Sequence, residues 1–265
     1  MNIGTITCSY FMRIYGYKMP ENFDWGEMTA KYRAEFGKED FLKLAGEIRD
    51  LGYDSIEIWE PTFSYLVYSK DEAATMAETL KEMGFKLVAY CIGGWNNDDT
   101  KNVSAAYEFA KALGARVVTG CITKDKCDLL IPEMEKCGKE LGLKYAIENH
   151  PLPNFEDPKD IAEVICKYDT IGANLDSGIY NMQGYDILEA ADLFGSKIYH
   201  VHFKDTLKGG EGCLPIGEGD APMDKLLLKL RDQGYNEMIS VEFEFNGDPT
   251  PGLGDSIAFI RNVLK

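Results

Sequence analysis

The chain has 265 residues and a formal net charge of −16, from 28 basic against 44 acidic side chains. That balance argues against nucleic acid as a partner, because phosphate binding draws its affinity from Lys and Arg clusters. With 45% hydrophobic and 27% charged residues, the composition is that of a folded globular protein with no disordered segment.

Cys8, Cys91, Cys121, Cys127, Cys137, Cys166 and Cys213 are scattered and never form C-x-x-C, the pattern of reduced thiols rather than of a disulfide framework or zinc finger. The N-terminus has no basic segment followed by an apolar one, and no apolar run approaches the ~18 residues of a membrane span. A cytoplasmic protein without membrane contact is therefore expected.

In chain order, the first strand-like run is 2–8. From Tyr10 to Phe36 follows an irregular, aromatic-rich stretch that reads as a long insertion. Connections of that length are usually functional, and a lid or a contact between subunits of a homo-oligomer is expected of it. The segment KEDFLKLAGEIRDLG then sets Phe41, Leu42, Ala45, Ile48 and Leu51 on one helical face.

Further strand-like runs lie at 53–59, 85–90, 115–120, 143–148, 170–176, 197–203 and 237–243. Helix-like segments alternate with them at 71–83, 102–113, 126–141, 158–168, 185–194, 223–233 and 253–264. Gly52, Gly84, Gly114, Gly142 and Gly234 each stand between a helix and the next strand, where a left-handed residue ends a helix at little cost. Strand–helix alternation over ~250 residues predicts a single-domain (β/α)8 TIM barrel spanning 1–265, with a long loop at 204–220. No G-x-G-x-x-G follows an early strand, which removes the main support for a dinucleotide-binding sheet.

Alternate side chains of a barrel strand point to the axis. If Val201 and Phe203 face the helices, His200, His202 and Lys204 face inward. The same parity turns Ala146, Glu148 and His150 inward, with Asn174 and Asp176, Glu242 and Glu244, and Glu57 and Trp59. Four consecutive strands thus each deliver a carboxylate or an imidazole at the C-terminal end, where such barrels carry their active sites. Glu148, Asp176, His202 and Glu242 form an oxygen-rich set with one nitrogen. The expected ion is Mn²⁺, with Mg²⁺, Co²⁺ and Zn²⁺ as alternatives. Without a cation, three buried carboxylates would repel one another and lose their hydration.

The segments AIENHP, ANLDSG, HVHFKD, PIGEGD and SVEFEF, in this order, resemble the xylose isomerase-like barrels of the sugar phosphate isomerase/epimerase family, and the resemblance covers essentially the whole chain. It implies that Glu148, Asp176, His202 and Glu242 bind one divalent metal. It also implies that Glu148 and Glu242 exchange a proton beside a metal-polarised carbonyl, through an enediolate. Bidentate chelation of a carbonyl and a neighbouring hydroxyl would acidify the α-hydrogen and stabilise the developing oxyanion. Two departures are visible. DSGIYNM lacks the substrate-binding His that ketose 3-epimerases of the family carry after the strand-six Asp, and three His in all are too few for the three-metal cluster of endonuclease IV.

Substrate contacts are expected from His150, Lys204, Glu60, Trp59 and Trp95, although packing explains both tryptophans almost as well. His200 reads as a hydrogen-bonded core residue, Glu57 as an ion-pair partner on the barrel floor, and Glu244 as a group orienting a ligand. The glycines of GEGD at 217–220 are a weak phosphate-loop signal and read better as a turn. The resulting expectation is a metal-dependent isomerase or epimerase of a keto sugar or polyol. A lyase or dehydratase using the same enolate is the alternative, and a non-catalytic sugar-binding or partner subunit is the reading from outside enzymology.

Overall fold

A computed structural model describes residues 1–95, 100–210 and 212–265. Eight parallel strands close into a barrel in sequential order: β1 (Asn2–Ile6), β2 (Ser55–Trp59), β3 (Val88–Gly94), β4 (Ala115–Cys121), β5 (Lys144–Glu148), β6 (Ile171–Asp176), β7 (Ile198–Phe203) and β8 (Met238–Val241). Around them, among the described residues, run α1 (Trp25–Glu35), α2 (Lys38–Asp50), α3 (Lys70–Glu82), α4 (Thr100–Ala112), α5 (Cys127–Leu141), α6 (Pro158–Ile165), α7 (Ser177–Gln183), α8 (Ile187–Phe194), α9 (Met223–Asp232) and α10 (Thr250–Val263). No helix among the described residues is long and apolar enough to cross a membrane.

The helices that cover the barrel bury an apolar stripe against it, α1 excepted. In α2 that stripe is Phe41, Leu44, Ala45 and Ile48, all fully buried, with each large side chain contributing about 1.5–3 kcal/mol by leaving water. The glycines expected to end helices, Gly52, Gly84, Gly114, Gly142 and Gly234, all take positive φ. The seven cysteines are unpaired.

The stretch after β1 differs from its reading as an irregular insertion. Thr7–Tyr15 forms a 3-10 helix with a kink at Tyr10, and α1 begins at Trp25, where the Asp24 carboxylate accepts the Glu27 N–H at 2.8 Å. Only Met28 and Tyr32 of α1 are buried, so the apolar period that marks the other helices is missing from WGEMTAKYRAE. β3 likewise continues through Gly93 and Gly94, which carry no strand signal of their own.

One irregularity shapes the barrel floor. Ala173 pairs with Ile198 and Asn174 with His200, so Tyr199 is an extra residue on β7. Its ring joins Ala89, Val117, Ala146 and Met238 in a small apolar cluster separate from the main core. Opposite stands Gly172, where a Cβ would come 2.4 Å from both Lys197 O and Tyr199 Cδ2, so no larger residue fits unless the Tyr199 bulge moves.

Candidate active site

The mouth of the barrel gathers Glu148, the last residue of β5, with Asp176 at the end of β6, His202 on β7 and Glu242 one residue past β8. Glu242 stays in register because its N–H donates to Phe203 O at 3.2 Å, continuing the ladder beyond the strand. One ligand atom of each of the four lies within 4.8 Å of the others, and all four residues are buried.

Asp176 is fixed from three sides. Its Oδ1 accepts the Ile179 N–H at 2.8 Å, capping α7, while the Asn149 side-chain amide pairs with its backbone N–H at 2.9 Å and its carbonyl at 3.0 Å. Asp176 Oδ2 is left with no hydrogen-bond partner, and so are Glu242 Oε2 and His202 Nδ1. His202 Nδ1 lies 3.1 Å from Glu242 Oε2 and 3.4 Å from Glu148 Oε1, in neither case aligned as a hydrogen bond. Buried polar atoms are rarely orphaned, and three converging on one point are the observation that fits a cation.

The electrostatics agree. Burial pushes the Asp176 carboxyl up to about 8, with Lys204 acting against it. Burial also raises Glu242, but Lys204 and His202 outweigh it and hold that carboxyl down at about 2. For His202, burial disfavours the imidazolium, yet Glu57, Glu242 and Glu148 around the ring raise its pKa well above the ordinary value. The cluster therefore draws in positive charge, which in the metal-free protein comes from His202 and Lys204. Lys204 is buried, with Nζ 2.6 Å from Glu244 Oε2, 3.6 Å from Glu242 Oε2 and 3.9 Å from Asp176 Oδ2. Cys8, Glu242 and Glu244 also come close enough to hold an ion, but the Lys204 ammonium already supplies positive charge there.

The other residues singled out from sequence are distributed unevenly. Lys204 joins the cluster, with its backbone N–H donating to Ser177 Oγ at 3.0 Å. Glu60 does not: its carboxylate is occupied by Arg33 of α1, with Nε 3.1 Å from Oε2, and by the Ser64 hydroxyl. Trp59 is buried edge-on to Tyr32 at 5.5 Å, and Trp95 is buried with its ring 6.4 Å from that of Tyr145. His150 is half-buried, its backbone N–H donating to Phe155 O at 2.8 Å. In the GEGD turn, the Gly217 and Gly219 N–H groups both donate to Asp205 Oδ2, at 2.8 and 3.1 Å, so those amides bind a carboxylate of the chain itself. Sequence reasoning missed Asn149 and Ser177, whose only signal was a position directly after Glu148 and Asp176.

A family model described as xylose isomerase-like TIM barrel matches residues 45–263, and the chain belongs to that family. The inosose isomerase of Bacillus velezensis is 27% identical over 223 residues, which cover 72% of this chain and 79% of the relative. Among solved structures, an L-ribulose 3-epimerase matches with a TM-score of 0.76 at 17% identity, covering 100% of this chain and 95% of its own. The structure described as the probable 3-DHS dehydratase AsbF from Bacillus anthracis matches at 0.68 and 13%, covering 99% of both chains. At such identities the two structures speak for the fold alone.

Proposed function

We propose that the protein is a divalent-metal-dependent isomerase or epimerase acting on a keto sugar or keto polyol, with Glu148, Asp176, His202 and Glu242 as metal ligands. The observation that carries this reading is the convergence of Asp176 Oδ2, His202 Nδ1 and Glu242 Oε2, all buried and all without hydrogen-bond partners. The name of the curated relative, inosose isomerase, supports the substrate class.

A divalent ion bound there would act as a Lewis acid on a substrate carbonyl and its neighbouring hydroxyl, acidifying the hydrogen on the hydroxyl-bearing carbon next to the carbonyl. Glu148 and Glu242 come from strands three places apart around the barrel, so their carboxylates reach the pocket from different sides. One removes the proton and the other delivers one to the enediolate: on the opposite face of the same carbon this inverts its configuration, and at the neighbouring carbon it moves the carbonyl. Lys204 Nζ, 3.6 Å from Glu242 Oε2, keeps that carboxylate ionised and stands ready to meet developing negative charge on an oxygen. His150, Trp59 and Trp95 are assigned to the walls that hold the substrate.

Lys204 also favours a second reading. A buried ammonium beside the acid/base pair could protonate a departing β-substituent, turning the same enolate toward elimination.

The test is metal content followed by incubation of the Mn²⁺-loaded protein with keto sugars and inososes in D₂O. One ion per chain and solvent deuterium in recovered sugar are expected, and an unsaturated product would select the lyase. A chain that retains no Mn²⁺ overturns the ligand set, while retained metal without exchange overturns the substrate class.

A further inference from the structure

The metal cluster accounts for one nitrogen of His202 and leaves the other. His202 Nε2 turns toward the barrel interior, where it lies 3.0 Å from Oε2 and 3.1 Å from Oε1 of Glu57. Glu57 belongs to β2, far in sequence from β7, and is completely buried. Two more donors converge on the same carboxylate: His200 Nε2 at 2.9 Å from Oε2, and the Thr119 hydroxyl of β4 at 2.6 Å from Oε1.

Glu57, His200 and His202 are close enough together to be considered a metal site in their own right. The hydrogen bonding speaks against it. Both Glu57 oxygens are already satisfied by aligned donors, whereas the buried carboxylate oxygens orphaned among the described residues lie on the other side of the His202 ring, at Asp176 and Glu242. A carboxylate accepts hydrogen bonds, so the two imidazoles that share Glu57 Oε2 each present an N–H at Nε2. In a neutral His202 the lone pair is then on Nδ1, the nitrogen that faces Glu148 and Glu242.

We propose that Glu57 is a positioning residue for the active site: it locks the His202 ring in the Nε2–H form with Nδ1 directed at Glu148, Asp176 and Glu242, and so sets the affinity for the metal. His200 and Thr119 fix the Glu57 carboxylate in turn, and the His200 ring also packs edge-on against that of His202 at 5.5 Å. A carboxylate behind a ligating imidazole both orients the ring and raises its basicity, and losing it costs about 10–100-fold in metal affinity. Glutamine keeps one acceptor oxygen, enough to face both Nε2–H groups at the Oε2 position, but it loses the negative charge that raises the basicity of the His202 ring. This inference rests on the metal-site reading above.

The experiment compares Mn²⁺ dissociation constants of wild type, Glu57→Gln, Asp176→Asn and Ile58→Val, with a melting curve for each metal-free chain. Ile58 is the buried neighbour of Glu57 on β2, and its truncation loosens the strand without touching the carboxylate. Glu57→Gln is expected to bind Mn²⁺ about 10–100-fold more weakly, while Ile58→Val melts earlier and binds as wild type does. A merely structural Glu57 would make the two variants alike, with lower melting temperature and unchanged affinity, and that result overturns the proposal alone. A wild type that binds no more tightly than Asp176→Asn overturns the metal reading and this inference with it.

Should Glu57→Gln fail to fold, the wild type answers by nitrogen-15 NMR of the Zn²⁺-loaded protein. A slowly exchanging His202 Nε2–H with metal on Nδ1 is expected, and metal on Nε2 would overturn the assignment. Thr119→Val, which removes one donor from Glu57, should weaken metal binding in the same direction by a smaller factor.

Discussion

At the floor of the barrel, Glu135 of α5 accepts the Asp169 N–H at 3.0 Å, the Thr170 N–H at 2.8 Å and the Thr170 hydroxyl at 2.6 Å, with Lys139 Nζ at 2.8 Å. At the mouth, Asp176 Oδ2 and Glu242 Oε2 are buried and accept nothing. The floor also has an open cavity of about 480 Å³ lined by Lys111, Arg116, Lys144, Tyr199 and Glu237, but the carboxylate among them is engaged, with Glu237 3.7 Å from Arg116 and 3.8 Å from Lys144. Both ends carry carboxylates in little water. A satisfied one ties a helix to a strand, and an unsatisfied one waits for a ligand.

The comparison breaks first on rate. Glu148→Gln and Glu242→Gln should each lower kcat by about 10²–10⁴-fold, the usual contribution of a positioned acid or base, measured as deuterium exchange into a keto sugar or inosose. Glu135→Gln should leave kcat at its wild-type value. A floor variant that slowed exchange as much as a mouth variant would mean that burial, not unsatisfied oxygen, had marked out the residues.

Glu60 sharpens the contrast, because by position it belongs to the mouth and by bonding to the floor. With Arg33 and Ser64 holding its carboxylate, Glu60→Gln should destabilise the protein by about 1–3 kcal/mol through the uncompensated Arg33 and leave KM unchanged. Denaturant titration beside a KM measurement checks both. A raised KM at wild-type stability would return Glu60 to the substrate pocket.

The fate of Glu60 also marks how far the sequence could be read. Period two along β5 to β8 was enough to turn Glu148, Asp176, His202 and Glu242 to one side, and the alternation of runs was enough for the barrel. Arg33 was out of reach, because α1 buries only Met28 and Tyr32 and so carries no helical stripe. The link from Glu57 to His200 and His202 spans 143 and 145 residues, and parity says only that all three point inward. The Tyr199 bulge breaks that parity within β7, and Gly172 is the only local hint of it. What periodicity cannot encode is which inward side chain meets which across the barrel. That depends on the closure of the sheet.

The smallest expected effect depends on pH. Burial favours the protonated form of Glu135, but Lys139 and the Thr170 and Asp169 donors outweigh it and hold the carboxyl down at about 2, against ~4.3 in an unfolded chain. As pH falls, the unfolded state therefore takes up the proton first. The stabilisation from this group is whole above about pH 5 and is lost as pH falls through ~4.3 toward 2. Glu135→Gln should accordingly cost about 1–2 kcal/mol at pH 7, the worth of hydrogen bonds to a charged acceptor, with the gap from wild type narrowing steadily below pH 4. Urea titrations of both chains at pH 7, 4 and 3 measure it. A gap independent of pH would mean that shape, and not the charge of the carboxylate, ties α5 to β6, and that the two ends of the barrel differ in less than their hydrogen bonding implies.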